Sequence, residues 1–307
     1  MKIVYMGTPD FAVKPLEALH EAGHNIALVV TKADRPKDRG KKMQACPVKL
    51  KALELGLDVE SPEKIKGNED FLARVKSIAP DIMIVAAYGK ILPVNLLEIP
   101  RLGCVNIHGS LLPKYRGAAP IQRAVINGES ETGVTLMYMA EGMDTGDMIA
   151  KAAVPVGKKT AAQLFEELSA VGSDLLMEYL PKIENGTAPR IPQNEEDATY
   201  APMVFKEEGR VDFSKDAKAV CSLIRGFNDA PIASTIWKGE VMKLYYAVEG
   251  DGRGKPGEVL KADKNGIEVA CGSGSAVLKT VQMPGKKAME VSAFLAGNKI
   301  EIGSILG

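Results

Sequence analysis

Residues 81–87, Asp-Ile-Met-Ile-Val-Ala-Ala, decide the fold class of this chain. The run is apolar at consecutive positions, which is typical of a strand covered on both faces of a parallel sheet. Strand-length apolar runs alternate with longer segments of helical periodicity on both sides of it, at 2–7, 10–22, 26–31, 47–56, 68–79 and 103–108. This alternation predicts βαβ units and therefore an α/β first domain built on a mainly parallel sheet.

The turn after the first predicted strand bears on the ligand class. It reads Gly7-Thr8-Pro9-Asp10-Phe11 and lacks the G-x-G-x-x-G spacing of a dinucleotide site. We therefore expect a Rossmann-like sheet in which this turn joins a strand to a helix without binding a dinucleotide.

The second half of the chain has a different pattern. We predict two further strands (133–139 and 147–156) and a long amphipathic helix over 161–180. Residues 185–206, with Asn185-Gly186 and three prolines, have the composition of a linker. Beyond them a helix over 214–225 precedes short strands at 232–237, 241–248, 257–261, 267–271 and 276–283. Strands at that spacing predict a small, OB-like β-barrel.

These patterns divide the 307 residues into a domain at 1–184, a linker at 185–206 and a second domain at 207–307. Lysine plus arginine (39) balances aspartate plus glutamate (39), so a nucleic-acid partner would have to be held by local basic patches. The four cysteines form no C-x-x-C pair, which argues against a zinc site or a disulfide framework. We see no leader peptide or membrane span, and expect a cytoplasmic protein without an obligate protein partner.

The segment Cys104-Val105-Asn106-Ile107-His108 carries the first chemical signal. Asn106 and His108 are two apart, so on a strand both side chains project from one face. When an amine attacks a carbonyl group, negative charge develops on the carbonyl oxygen. An amide N–H beside an imidazolium would stabilise that charge, and losing one such donor costs about 3–4 kcal/mol. Imidazole can also carry the amine's proton. A lone histidine would more simply satisfy a hydrogen bond, but the pairing with Asn106 favours catalysis.

Asp144 is the candidate carboxylate for orienting that histidine. It lies between Gly142 and Gly146 at the centre of the loop 140–146, where the backbone can approach a ligand. Asp147 competes for the role, but it begins the next apolar strand. A capped turn would explain the aspartate equally well.

At this point the chain resembles the folate-dependent formyltransferases. The shared marks are Asn106, His108 and Asp144 with Ser110-Leu111-Leu112-Pro113. Further segments resemble the branch that acts on transfer RNA: Gly7-Thr8-Pro9-Asp10-Phe11, Asp34-Arg35-Pro36, Gly40-Lys41-Lys42, Ala87-Tyr88-Gly89, Arg116-Gly117-Ala118-Ala119-Pro120-Ile121-Gln122-Arg123 and Gly285-Lys286-Lys287-Ala288-Met289. Their order and spacing run through most of the chain.

The resemblance implies transfer of a formyl group from 10-formyltetrahydrofolate, as cosubstrate, to the α-amine of methionine on initiator tRNA. It assigns catalysis to Asn106, His108 and Asp144, and implies no metal. It also implies a folate cleft formed by the loop 86–92 and by 110–113. The residues expected there are Tyr88, Gly89, Leu92, Ser110, Leu111, Leu112 and Pro113.

Residues 32–42 form a basic patch of six cationic and two acidic side chains, a local charge of 6 − 2 = +4. A charged loop is usually only solvated. The resemblance implies tRNA contact here, through a loop that reaches the acceptor end. Arg39 is the first candidate for a specific contact, Arg35 is a further tRNA-binding candidate, and Lys41 and Lys42 would serve phosphates. Lys279, Lys286 and Lys287 would add a second basic surface in the C-terminal domain.

Two alternatives stay open. One is formyl transfer to a small amine, such as an amino sugar; the basic loop and the second domain argue against it. The other is a non-catalytic RNA-binding protein, against which the intact Asn106, His108 and Asp144 argue. One departure concerns Asp229-Ala230, which replaces the proline and aromatic residue usual in the family's Arg-x-Phe-Asn-Pro-x-Pro turn.

Overall fold

The computed structural model describes residues 1–37, 42–228 and 230–307. Its residues form two compact units. The first comprises Met1–Ala118, Gly133–Val154 and Phe165–Ala201, and the second comprises Ala119–Thr132, Pro155–Leu164 and Pro202–Gly307.

The strands before the long helix are β1 (Lys2–Gly7), β2 (Asn25–Val30), β3 (Arg35–Lys37), β4 (Lys42–Gln44), β5 (Val59–Glu60), β6 (Ile82–Ala86), β7 (Cys104–His108), β8 (Glu131–Tyr138) and β9 (Met148–Pro155). The helices are α1 (Val13–Glu21), α2 (Pro47–Glu54), α3 (Glu69–Ile78), α4 (Val94–Leu97), α5 (Pro120–Ile126) and α6 (Ala161–Glu184). Seven strands form one sheet in the order β5-β2-β1-β6-β7-β8-β9, while β3 and β4 pair with each other.

The sheet is parallel from β5 to β7 and becomes antiparallel where β7 meets β8. Its strand order runs outward from β1 in both directions, so it reverses between β1 and β6. Ligands of open α/β sheets bind beyond the carboxyl ends of the strands near such a reversal. The predicted Rossmann-like architecture is confirmed, and all of β6 is buried as its uninterrupted apolar run requires.

The helix α3 shows how local sequence sets an element's bounds and its packing. Asn68 caps the helix by accepting a hydrogen bond from the Phe71 N–H at 3.1 Å, and Ala79 ends it in the left-handed conformation. The apolar face of α3 packs with Met83 and Val85 of β6 in one buried cluster. Each large apolar side chain buried there contributes about 1.5–3 kcal/mol.

The second unit contains an antiparallel sheet. Its elements are α7 (Ala217–Gly226), β10 (Ala233–Trp237), β11 (Glu240–Gly250), β12 (Val259–Asp263), β13 (Gly266–Ala270), β14 (Ser275–Gln282), β15 (Met289–Glu290) and α8 (Val291–Gly297). The strand order is β10-β11-β14-β13-β12, with β15 on β14. The five predicted strands and α7 are found within a few residues of their expected bounds. The short β15 and α8 were not predicted from the sequence.

The first unit extends into the segment 185–206, where the sequence predicts a linker. Residues up to Ala201 group with the first unit. The reason is hydrogen bonding: the Thr199 and Ala201 N–H groups donate to the carbonyls of Pro113 and Arg116. Proline and Asn-Gly content predicts irregular backbone here, but it does not reveal that this backbone is bound to an earlier loop.

Candidate active site

Asn106 and His108 lie on β7, an interior strand of the sheet in which every residue is buried. Their alternate positions place both side chains on one face. On the neighbouring antiparallel strand their partners in register are Met137 and Thr135. Among the described residues the amide of Asn106 has no hydrogen-bond partner, so its N–H groups are available to a ligand.

Both ring nitrogens of His108 face acceptor groups of the protein. Nε2 lies 2.9 Å from the main-chain oxygen of Tyr115, and because a carbonyl only accepts, Nε2 carries the hydrogen and donates it. Nδ1 lies 3.6 Å from Oδ2 of Asp144. That distance is longer than a hydrogen bond, so Nδ1 remains able to bind another group.

Asp144 occupies the place that the loop centre predicts. Its φ of 54° is in the left-handed region, and its Oδ2 accepts a hydrogen bond from the Gly117 N–H at 2.8 Å. Asp147 is engaged elsewhere, because its carboxylate lies 3.7 Å from the guanidinium of Arg190. The structure therefore brings Asp144, and not Asp147, to the imidazole.

Gly146 fixes the end of the same loop. A Cβ at this position would lie 1.8 Å from the main-chain oxygen of Tyr138. No side chain fits at that approach, which explains the glycine. The main-chain N–H of Tyr138 also binds the carbonyl of Asp147 at 2.9 Å, so the loop closes directly onto the end of β8.

The loop after β6 alternates between buried and exposed residues. Tyr88 and Leu92 are buried, whereas Gly89 and Ile91 are exposed, Ile91 to 86%. The Tyr88 hydroxyl is buried without a partner among the described residues, and burial raises the pKa of this phenol. Tyr88 and Leu92 can therefore shape the loop but do not present their side chains to a ligand. Ile91, by contrast, has an exposed side chain in the loop 86–92, although it is not among the folate residues expected from the sequence.

The segment 110–113 is similar. Ser110 and Leu112 are fully buried, while Leu111 and Pro113 are partly exposed. The Thr135 hydroxyl on β8 donates to the Ser110 carbonyl at 2.7 Å and accepts from the Leu112 N–H at 3.0 Å. Lys151 also donates to the Leu112 carbonyl, and burial lowers the pKa of its amine. These contacts fix the loop backbone beside His108.

The predicted tRNA residues are only partly described. Arg35 and Lys42 lie on the paired strands β3 and β4, whereas Arg39 and Lys41 fall outside the described residues. The Asp34 carboxylate, one of the two acids in this patch, is paired with Lys49 at 2.8 Å. In the second unit, Lys286 and Lys287 lie in the exposed run 284–288.

Within residues 1–37, 42–228 and 230–307, no group of three His, Cys, Asp or Glu side chains could hold a metal ion. No helix in that part of the chain is long and apolar enough to cross a membrane.

Family models match both parts of the chain. A model described as "Formyl transferase" matches residues 1–180, and one described as "Formyl transferase, C-terminal domain" matches residues 203–299. The chain belongs to the formyl transferase family. This family member is 47% identical over 311 residues to the methionyl-tRNA formyltransferase of Acetivibrio thermocellus, and the match covers 100% of each chain.

Solved structures share the fold of this family member. One is HypX from Aquifex aeolicus in complex with tetrahydrofolic acid, at 20% identity and a TM-score of 0.67; the match covers 99% of this chain and 50% of HypX, so the chain spans about half the HypX length. Another is the methionyl-tRNA formyltransferase from Clostridium thermocellum, at 16% identity and a TM-score of 0.57 over 82% of this chain and 95% of that one. At these identities the structures support the fold alone.

The arrangement in this family member suits acyl transfer to an amine. It presents an unengaged amide, an imidazole with one unengaged nitrogen and a carboxylate at the carboxyl end of one strand. The amide can bind a developing oxyanion. The imidazole and the carboxylate can accept a proton, and the carboxylate can also stabilise a nearby positive charge.

Proposed function

We propose that this chain transfers the formyl group of 10-formyltetrahydrofolate to the α-amine of methionyl initiator tRNA. The observation that carries the proposal is the position of Nδ1 of His108 3.6 Å from the Asp144 carboxylate, with Asn106 two residues before His108 on the same strand, β7. The full-length relative at 47% identity is named a methionyl-tRNA formyltransferase, which supports a methionyl-tRNA as the acceptor.

Each of the three residues has a distinct part in this proposal. The Asn106 N–H donates to the oxygen of the formyl carbonyl as the amine attacks. The Nδ1 side of His108 faces the reacting atoms, while its Nε2 hydrogen bond to Tyr115 holds the ring in place. The Asp144 carboxylate receives the proton that leaves the attacking amine. When the tetrahedral intermediate collapses, the bond between the formyl carbon and N10 breaks, and this proton passes to N10, so that tetrahydrofolate leaves as a neutral amine. An α-amine has a pKa of about 8, so part of it is already neutral near pH 7.

We place the folate between the loop 86–92 and the segment 110–113. Gly89, Leu111 and Pro113 have exposed surface there. Tyr88, Leu92, Ser110 and Leu112 are buried and would act by shaping the backbone that meets the ligand. The folate is a cosubstrate, and the proposed chemistry uses no metal.

We assign tRNA contact to the basic segment with Arg35, Arg39, Lys41 and Lys42, and to the domain at 207–307 with its exposed Lys286 and Lys287. The catalytic domain in this proposal is the region that contains 1–184. Because the acceptor is used in translation, we place the protein in the cytoplasm.

The decisive experiment is a formylation assay with purified protein and 10-formyltetrahydrofolate. Methionyl initiator tRNA, a non-initiator methionyl-tRNA and free methionine are offered side by side. We expect transfer to the initiator species alone. A folded protein that binds the folate yet formylates none of them would overturn the proposed acceptor and favour a small amine in its place.

A further inference from the structure

The segment 193–201 lies in the region that the composition marks as a linker, yet in the first unit it touches the two groups that flank His108. These groups are the main-chain carbonyl of Tyr115, which binds Nε2, and the Asp144 loop, whose carboxylate faces Nδ1. Neither group lies on a regular helix or strand. Their positions therefore depend on contacts from elsewhere in the chain.

Gln193 holds the Asp144 side. Its Nε2 donates to the carbonyls of Asp144 and Gly146, both at 2.8 Å. These two bonds restrain the backbone on each side of Thr145, where Asp144 keeps a left-handed φ that costs free energy without support. The same amide thus fixes the direction in which the Asp144 carboxylate leaves the loop.

Arg116 orients Gln193. Its Nε donates to Oε1 of Gln193 at 3.0 Å, so the amide of Gln193 can turn only its N–H groups towards the loop. The Arg116 guanidinium is fully buried, and its remaining nitrogens bind both carboxylate oxygens of Glu195 at 2.8 Å. A bidentate pair of this kind sets geometry as well as charge.

Thr199 holds the Tyr115 side. Its hydroxyl accepts a hydrogen bond from the Tyr115 N–H at 2.8 Å, and its carbonyl accepts from the Arg116 N–H at 2.8 Å. Tyr115 itself has a left-handed φ of 61°. The residue whose carbonyl binds His108 is therefore fixed in an unfavourable conformation by a hydroxyl 84 positions later.

We infer that Gln193 and Thr199 are positioning residues: together they hold the Tyr115 carbonyl and the Asp144 carboxylate on the two sides of the His108 ring, and Arg116 with Glu195 locks Gln193 in place. The expected effect of these residues on turnover rests on the proposed function, whereas their expected effect on the orientation of the His108 ring does not. Misplacement of a reacting group by about 1 Å costs on the order of 100-fold in rate, so loss of either support should be visible in kcat.

Two conservative substitutions test the inference. Gln193→Glu keeps an oxygen for Arg116 but removes both donors to the Asp144 loop, and Thr199→Val keeps the shape while removing the hydroxyl. Gln163→Glu is the matched control for the first, because it makes the same chemical change at an exposed residue away from the site and keeps the Oε1 that accepts from the Thr160 N–H. Thr187→Val is the control for the second, since that exposed hydroxyl bonds only the carbonyl of Lys182.

Two readouts separate positioning from folding. The first is kcat against KM for both substrates: we expect Gln193→Glu and Thr199→Val to lower kcat by roughly 10- to 100-fold with KM little changed. The second is the ¹⁵N chemical shift of the histidine ring nitrogens, which needs no substrate. The chain has three histidines, so His108 is observed beside His20 and His24 as internal references. We expect only the His108 signals to move, and only in the two test variants.

Wild-type kcat and unmoved His108 signals in both test variants would overturn the inference, as would equal losses in the controls. If the unsubstituted protein formylates no methionyl-tRNA but its His108 signals respond as described, the proposed function fails and the positioning inference stands.

Discussion

The fully buried guanidinium of Arg116 binds the carboxylate of Glu195 through two hydrogen bonds of 2.8 Å, although the Glu195 side chain is itself 69% exposed. The buried positive charge of Arg116 is thus neutralised by the carboxylate of Glu195, which is exposed to water. These bonds from Arg116 hold the pKa of the Glu195 carboxyl below its ordinary value and raise the pKa of Arg116.

This pair predicts a dependence of stability on pH. Because the pKa of Glu195 is lower in the folded than in the unfolded chain, its contribution is complete above the unfolded value and is lost as the pH falls through the folded one. We expect Glu195→Gln to lower the urea midpoint at neutral pH and to reduce the decline on acidification below about pH 4.5. Glu196→Gln, an exposed change at the next residue, should leave both unchanged. Identical acid profiles for wild type and Glu195→Gln would contradict the prediction.

The two aspartates of the 140–147 region give a second prediction. Asp144→Asn keeps an oxygen for the Gly117 N–H and suits the left-handed backbone, but it removes the charge beside His108. We expect formyl transfer to fall by about 10²–10⁴-fold without loss of folding. Asp147→Asn, which only weakens an exposed contact with Arg190, is the control and should stay near wild type. Equal activity of the two variants would exclude Asp144 from the mechanism.

The substitution of threonine by valine should have opposite effects on stability at two buried positions, Thr135 and Thr235. In Thr135→Val, the Ser110 carbonyl and the Leu112 N–H lose their shared partner, so we expect about 1–3 kcal/mol of destabilisation and a higher KM for the folate. In Thr235→Val, the hydroxyl removed is buried and has no partner among the described residues, so the change should be neutral or stabilising. Urea unfolding of both variants tests the pair; destabilisation of both to the same extent would mean that the hydrogen bonds of Thr135 are unimportant.

A fourth prediction concerns the basic segment. Arg39→Ala should raise KM for the aminoacyl-tRNA and reduce the salt dependence of tRNA binding, while leaving folate binding unchanged. The measurement is KM for each substrate at two salt concentrations. Lys64→Ala, an exposed lysine elsewhere in the first unit, serves as the control. An unchanged KM for tRNA in Arg39→Ala would leave the patch as a solvated surface.

The sequence was most informative where one local pattern determines one structure. The uninterrupted apolar run of β6 requires burial on both faces, and the two-residue spacing of Asn106 and His108 requires a shared face, so both could be predicted. The regular spacing of short strands likewise predicted a small β-barrel, and the antiparallel sheet of the second unit is consistent with one.

The contacts of the site were harder to predict, because they join residues far apart in the chain. Nothing in the local sequence shows that Tyr115 would offer its carbonyl to His108, or that Gln193 would reach the Asp144 loop. The residues around Gln193 resemble a linker in composition, since proline and Asn-Gly report backbone irregularity and not tertiary contact. The exposure of Ile91 was also hard to predict. The alternation of buried and exposed residues in its loop can be assigned only once β6 is known to end at Ala86.

The segment 193–201 is synthesised after the residues that it positions. Asn106, His108 and Asp144 all leave the ribosome before Gln193 and Thr199 do, so a nascent chain that has folded its sheet still lacks the groups that orient the imidazole. Catalytic competence would then arise late in synthesis of the first unit. For the same reason, a fragment cut at the end of α6 would contain every reacting side chain and still be a poor enzyme.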